Sequence, residues 1–267
     1  MSYYREFFAF TKEPFAQDVD TKDLFPFKAL EACVERFKYV LETGATCVIT
    51  GEIGSGKSTT LRLCATRLHP AKYKIIALVA HSGSWNELLR QIILSFGDDC
   101  RTNSLAILTR TARELILEVI RKKQIPVLLI DEAHLLRQEI FGQIHTLTQS
   151  EYDSKSILPL MLSGQNQLLD KLLSYTARPL ASRVAAKSHL EALSLAEMTA
   201  YLEHHLKIAG VDHGLFIENA IQAIHQGSGG FLRKANLLAR GSLMAAAREK
   251  AQLVTAEHVR LAASELI

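Results

Sequence analysis

The chain has 267 residues, 48% of them hydrophobic and 22% charged, and carries a formal net charge of +3. That balance excludes a disordered or low-complexity chain and points to one large domain, or a core domain plus a satellite. Cys33, Cys47, Cys64 and Cys100 lack Cys-x-x-Cys spacing, no signal-peptide pattern opens the chain, and no apolar run nears the roughly 20 residues that span a bilayer; a reducing, cytoplasmic setting is expected.

Residues 1–28 read as an aromatic docking segment and not a helix, with Phe7-Phe8-Ala9-Phe10, Pro14-Phe15 and Phe25-Pro26-Phe27. Leu30, Val34, Phe37 and Val40 then recur at helical spacing over 29–42. A strand over Cys47–Thr50 enters a glycine-rich loop, and the helix starting near Lys57 is expected to run to about His69, where Pro70 stops it. Further strands are expected at Lys74–Ala80, Val127–Ile130, Ile157–Ser163 and Ser188–Leu193, with amphipathic helices over 84–96 and 104–123. Strand and helix alternate. The α/β part, 29–193, therefore reads as a parallel five-stranded sheet covered on both faces. From Ser194 the pattern changes: Ser194-Leu195-Ala196-Glu197 is a capping box, and residues 194–267 read as a small all-α lid with helices near 195–209, 216–226, 231–249 and 255–266. His204, His205 and His213 are expected on a solvated helix face.

Chemistry concentrates where the first strand ends. In Gly51-Glu52-Ile53-Gly54-Ser55-Gly56-Lys57-Ser58-Thr59, glycines allow successive backbone N–H groups to face one concavity, and the helix that follows adds its N-terminal dipole. Such a cradle suits a polyphosphate. Lys57 is expected to reach the β- and γ-phosphates, and Ser58 to place a hydroxyl on Mg²⁺. Asp131 and Glu132 end the hydrophobic strand Val127–Ile130, the edge at which open α/β sheets bind ligands. There Asp131 would hold the Mg²⁺ shell and Glu132 would polarise the attacking water. Asp131-Glu132-Ala133-His134 also spells a helicase box, but too few residues follow for a second RecA-like domain, so His134 reads as a helix-start residue beside the site. Gln165, just past the fourth strand, is the expected γ-phosphate sensor. Arg178 or Arg183 could reach the nucleotide of a neighbouring subunit, and Arg233 could close over the phosphates.

This order of motifs resembles the AAA+ ATPases, and within them the ExeA-like group, on the aromatic N-terminal segment, the loop Gly51–Ser58, Asp131-Glu132-Ala133-His134, Ser163-Gly164-Gln165 and Gly230-Phe231-Leu232-Arg233. The resemblance implies ATP and Mg²⁺ as ligands, Lys57 as the Walker A lysine, Asp131 and Glu132 as the Walker B pair, Gln165 as sensor 1, Arg183 as the preferred arginine finger and Arg233 as sensor 2. The group includes general-secretion assembly ATPases and transposition-helper ATPases. A stand-alone core plus lid looks like the helpers, which implies a homo-oligomeric ring or filament on double-stranded DNA that recruits a transposase, and possibly a target-selector protein. Arg90, Arg101, Arg110, Arg113, Arg121, Lys122 and Lys123 are the candidate DNA contacts, to the backbone and not to bases.

Overall fold

A computed structural model describes residues 3–150 and 155–266 and divides the chain into two compact units. One comprises Lys28–Gly51 and Lys57–Leu190; the other gathers Met1–Phe27, Glu52–Gly56 and Glu191–Ile267.

The first unit is built on strands β1 (Thr46–Gly51), β2 (Tyr73–Val79), β3 (Ile125–Asp131), β6 (Leu160–Gly164) and β7 (Val184–Leu190), with a small antiparallel pair, β4 (Gln149–Ser150) and β5 (Lys155–Ser156), between β3 and β6 in sequence. The large sheet runs β2-β3-β6-β1-β7, and every pair in it is parallel. Val127, Leu128, Leu129 and Ile130 are buried, as are all six residues of β1, because a central parallel strand has apolar neighbours on both faces. Cys47 lies in β1; burial, reinforced by nearby Cys33, pushes its thiol up to about 12, so it serves as a small hydrophobe.

The helices follow their apolar spacing. Trp85–Ser95 starts at a capping box in which the Ser84 hydroxyl accepts the Glu87 N–H while the Glu87 carboxylate accepts the Ser84 N–H. It buries Trp85, Leu88, Leu89, Ile92 and Ile93, and helix Leu105–Arg121 buries Leu108, Ala112, Ile116 and Val119.

Several expectations shift. The Lys57 helix ends at Thr66, ahead of Pro70, where the Thr66 hydroxyl folds back onto the Leu63 carbonyl. The fourth strand starts at Leu160 and not Ile157, since Pro159 has no N–H for the ladder. The fifth occupies Val184–Leu190 and not 188–193: Ala185 and Ala186 mask it by propensity, but its inward and outward sides alternate as an edge strand requires. Helix Gln138–Thr148 was not expected at all. Gly142 and two threonines lower its propensity, while Ile140, Phe141, Ile144 and Leu147 form its buried face.

In the second unit, helices Leu195–Ile208, Glu218–Ser228, Leu232–Arg248 and Ala256–Ser264 enclose a core of Met198, Leu202, Leu238 and Leu243. The N-terminal aromatic residues Tyr4, Phe8, Phe10 and Phe15 complete that core, and the Thr11 N–H donates to the Ala209 carbonyl at 2.9 Å. Tyr3–Phe7 is a short helix, contrary to the expectation of none, because packing of Tyr4 overrides the weak propensity of an aromatic run.

The histidine pair corrects the sequence reading more sharply. His204 faces the chain and meets the Asp23 carbonyl at 2.7 Å, while His205 is 4% exposed, stacked on Phe15 at 5.2 Å and packed against Tyr201 at 4.4 Å. Burial, and then the neighbouring His204, lowers the His205 pKa from 6.5 to about 4. Its folded pKa is depressed, so between pH 6.5 and 4 the unfolded chain binds the extra proton and stability falls as pH falls. The full loss is about 3 kcal/mol. Urea titrations from pH 7 to pH 4 should show this slope in the parent protein and a flatter one in His205→Phe; parallel profiles would assign the acid sensitivity elsewhere.

Candidate nucleotide site

The strand order places the C-terminal ends of β1, β3 and β6 side by side, and of the expected site residues Lys57, Asp131, Glu132 and Gln165 follow or end these strands. β1 delivers Lys57 through its loop; Lys57 is 6% exposed, and its ammonium donates to the Gly51 carbonyl at 3.0 Å. Thr60, one turn on, is fully buried, whereas Ser58 is exposed and Thr59 half-buried.

The loop residues Glu52–Gly56 turn tightly, with Gly54 at φ +82° and the Ser55 N–H donating to the Glu52 carbonyl at 3.2 Å. A Cβ at Gly54 would stand 2.8 Å from the Cβ of Arg233, whose own N–H donates to the Gly54 carbonyl at 3.2 Å. So glycine is required there twice over, for its φ and for the close approach. The Ser55 hydroxyl is buried and has no hydrogen-bond partner. A buried orphan hydroxyl inside a glycine cradle, beside a buried lysine in sequence, fits a polyphosphate ligand.

At the end of β3, Asp131 Oδ1 accepts two hydrogen bonds at 2.9 Å, from the Ser163 hydroxyl of β6 and from the Glu132 N–H. The register Ile130↔Leu162 makes Asp131 and Ser163 cross-strand neighbours, which is why the serine can reach. Glu132 itself sits in the left-handed region at φ 51°, ψ 31°, a conformation that costs a non-glycine residue about 1–3 kcal/mol. That strain turns the chain sharply into the short 3-10 turn Ala133–Leu135 and leaves the Glu132 carboxylate part-exposed at the strand edge.

Gln165 follows β6 directly, and its N–H points to His134 Nδ1 at 3.4 Å. The same Nδ1 lies 3.3 Å from Glu132 Oε2. Burial, with Lys171 and Lys57 nearby, outweighs the pull of Glu132 and holds the His134 pKa below its usual value, so the ring is neutral at pH 7. Lys171 clamps the turn from below, donating to the carbonyls of His134 at 2.5 Å and Leu136 at 2.6 Å.

Arg183 is not part of this edge. Its carbonyl accepts the Thr46 N–H at 3.0 Å, so it stands at the start of β1, about 17 Å of strand away from Gly51. Its guanidinium donates to the Pro179 carbonyl at 2.6 Å, while Arg178 is exposed and stacks over Tyr175 at 5.2 Å. Arg233 enters near the start of helix Leu232–Arg248 in the second unit.

Sequence reasoning undervalued three residues here: His134, treated as a helix start, Ser163, quoted only as part of a motif, and Lys171. The Asp-Glu-Ala-His string was the available signal for the first. No local pattern marks Lys171, whose role arises from the approach of helix Gln167–Leu173 to the turn after β3.

A parallel sheet of this order, with a phosphate-type loop after β1, an Asp-Glu pair after β3 and a polar residue after β6, is the fold of the P-loop AAA+ ATPases. Residues 41–173 match the family model of the AAA domain. It is similar to General secretion pathway protein A of Aeromonas hydrophila, 30% identical over 268 residues that cover 98% of this chain and 48% of that protein. The chain thus spans about half the length of the curated relative it matches. Among solved structures, the Aeropyrum pernix ORC2 protein in its ADPNP-ADP complexes aligns at TM-score 0.69 and 17% identity, covering 94% of this chain and 71% of that one. Cdc6p from Pyrobaculum aerophilum aligns at TM-score 0.69 and 18% identity, covering 93% and 72%. The Thermotoga maritima RuvB Holliday junction branch migration motor aligns at TM-score 0.55 and 18% identity, covering 88% and 69%. Among the described residues, no helix is long and apolar enough to cross a membrane.

Proposed function

We propose that the protein is an Mg²⁺-dependent ATP hydrolase whose nucleotide state drives self-assembly. The observation that carries this is the fixed pair at the strand edge: Asp131 held by two hydrogen bonds and Glu132 turned out by its left-handed backbone, at the end of β3, two places in the sheet from β1, whose loop leads to Lys57. In this reading the amides of Gly51–Gly56 with Lys57 bind the phosphates, Ser58 and Asp131 hold the metal, Glu132 orients and deprotonates water, Gln165 senses the γ-phosphate, and Arg233 reports nucleotide state. A Mg²⁺ ion held there would neutralise developing phosphate charge; every proton-handling group belongs to the chain.

We place the assembly on double-stranded DNA in the cytoplasm, as a ring or filament that regulates transposition by recruiting a transposase. The resemblance to transposition helpers supports this setting. Of the candidate DNA contacts, Arg90 and Arg113 donate to backbone carbonyls, whereas Arg101, Arg110 and Lys122 make exposed ion pairs and Arg121 and Lys123 are exposed. Exposed pairs contribute little and exchange readily for phosphate. A second setting, assembly of a secretion apparatus, is favoured by the 30% identity to General secretion pathway protein A across 98% of this chain.

A titration on random duplexes separates the two. With ATP, binding should be cooperative and lose about 10³-fold or more in affinity between roughly 50 and 200 mM salt if six or more phosphates are neutralised per assembled unit. ADP should abolish it. Binding that ignores nucleotide, or none under any condition, would reject the DNA setting in favour of the secretion one.

A further inference from the structure

One ring nitrogen serves two masters in this site. His134 is 6% exposed, and its Nδ1 stands 3.3 Å from Glu132 Oε2 and 3.4 Å from the backbone nitrogen of Gln165. A neutral imidazole cannot satisfy both. With the proton on Nδ1 it donates to the Glu132 carboxylate; with the proton on Nε2, the Nδ1 lone pair accepts the Gln165 N–H. The first arrangement ties Glu132 to the ring and lowers the basicity it can offer to water. The second releases it and fastens the chain just past β6.

The surroundings hold the ring where this exchange can happen. Lys171 pins the His134 carbonyl, and Gly164 has no side chain, so His134 can approach: a Cβ there would stand 3.0 Å from the His134 nitrogen and 3.3 Å from Nδ1. The charged groups that act on the ring are Glu132 and Asp131, which favour its protonation, and Lys171 and Lys57, which oppose it.

We propose that His134 is a positioning residue that exchanges Glu132 for the main chain of Gln165, so that the strand end expected to sense the γ-phosphate sets whether Glu132 is withheld from water. The inference rests on the reading of Glu132 as the general base. It requires no new ligand, since the proton moves between the two nitrogens of one ring through solvent.

The test combines a mutant cycle with a spectroscopic readout. His134→Leu removes the donor that withholds Glu132 and should raise kcat for ATP hydrolysis by about tenfold with KM changed less than about twofold, as expected for a group acting on the chemical step. His134→Asn places an amide where Nδ1 stood and should stay within about threefold of the parent, whereas His134→Gln, one carbon too long, should resemble the leucine variant and replaces it if that variant fails to fold. In a Glu132→Gln background, His134→Leu should change nothing further. Nitrogen NMR of the nucleotide-free protein should show the Nδ1–H tautomer of His134 decreasing on Glu132→Ala. A loss of turnover in His134→Leu, an effect of equal size in the Glu132→Gln background, or a tautomer indifferent to Glu132, would overturn the positioning role. Glu132→Gln turning over at the parental rate would instead remove the general-base reading on which it depends.

Discussion

Lys57→Ala should lose ATP-dependent assembly and turnover together, whereas Glu132→Gln should still bind ATP, assemble and then fail to disassemble. The difference follows from where each group acts. Lys57 is buried at the root of the loop with its ammonium fixed 3.0 Å from the Gly51 carbonyl, so its charge is preorganised before any phosphate arrives. Removing such a charge from a partly dehydrated site costs about 10²-fold or more in rate, and here it also removes binding. Glu132 follows the last residue of a different strand, β3; its amide replacement keeps the volume and the strained backbone but cannot take a proton. General-base removal costs about 10² to 10⁴-fold. Turnover and particle size measured on the same samples would separate the two variants. A Glu132→Gln protein that hydrolyses ATP at the parental rate would take Glu132 out of the catalytic role.

Local signals carried much of this architecture. The burial of Val127–Ile130 and of β1 was legible because central parallel strands are continuous apolar runs, and the capping box at Ser194 marked its helix correctly. What escaped depended on tertiary neighbours. β7 is an alanine-containing edge strand, recognisable only once β1 lies beside it, and helix Gln138–Thr148 is stabilised by its buried isoleucines against its own poor propensity. His205 looked solvent-bound because histidine pairs in helices are commonly exposed; the aromatic N-terminal segment, far away in sequence, buries it. At the site, the residues named by motif were readable one at a time, but their coupling was not. That Asp131 is held by Ser163, and that Glu132 and Gln165 share one nitrogen of His134, follows from the β3–β6 register and from a left-handed residue, neither of which a motif encodes.

Arg183 should act on the nucleotide of a neighbouring copy, and mixing inactive subunits should reveal it. Its main chain pairs with Thr46 at the opposite end of β1 from Gly51, and about 17 Å of strand separates the two ends, beyond the reach of an arginine side chain to its own phosphates. A guanidinium at such a position can meet a nucleotide only across a subunit boundary. There it stabilises transition-state charge by about 10³ to 10⁵-fold. Arg183→Ala alone should therefore be nearly inactive while still binding ATP, and Lys57→Ala alone inactive for want of phosphate binding. Mixed, they should regain hydrolysis, because some boundaries then pair an intact loop with an intact arginine. Recovery should peak near equal amounts and vanish when both substitutions share one chain. Arg178 provides the internal control: it is exposed and stacked on Tyr175, free of the Pro179 carbonyl that Arg183 holds at 2.6 Å. If Arg183→Ala mixtures stay inactive in oligomers of parental size while Arg178→Ala mixtures recover, the trans-acting arginine is Arg178, and Arg183 fastens the turn into β7.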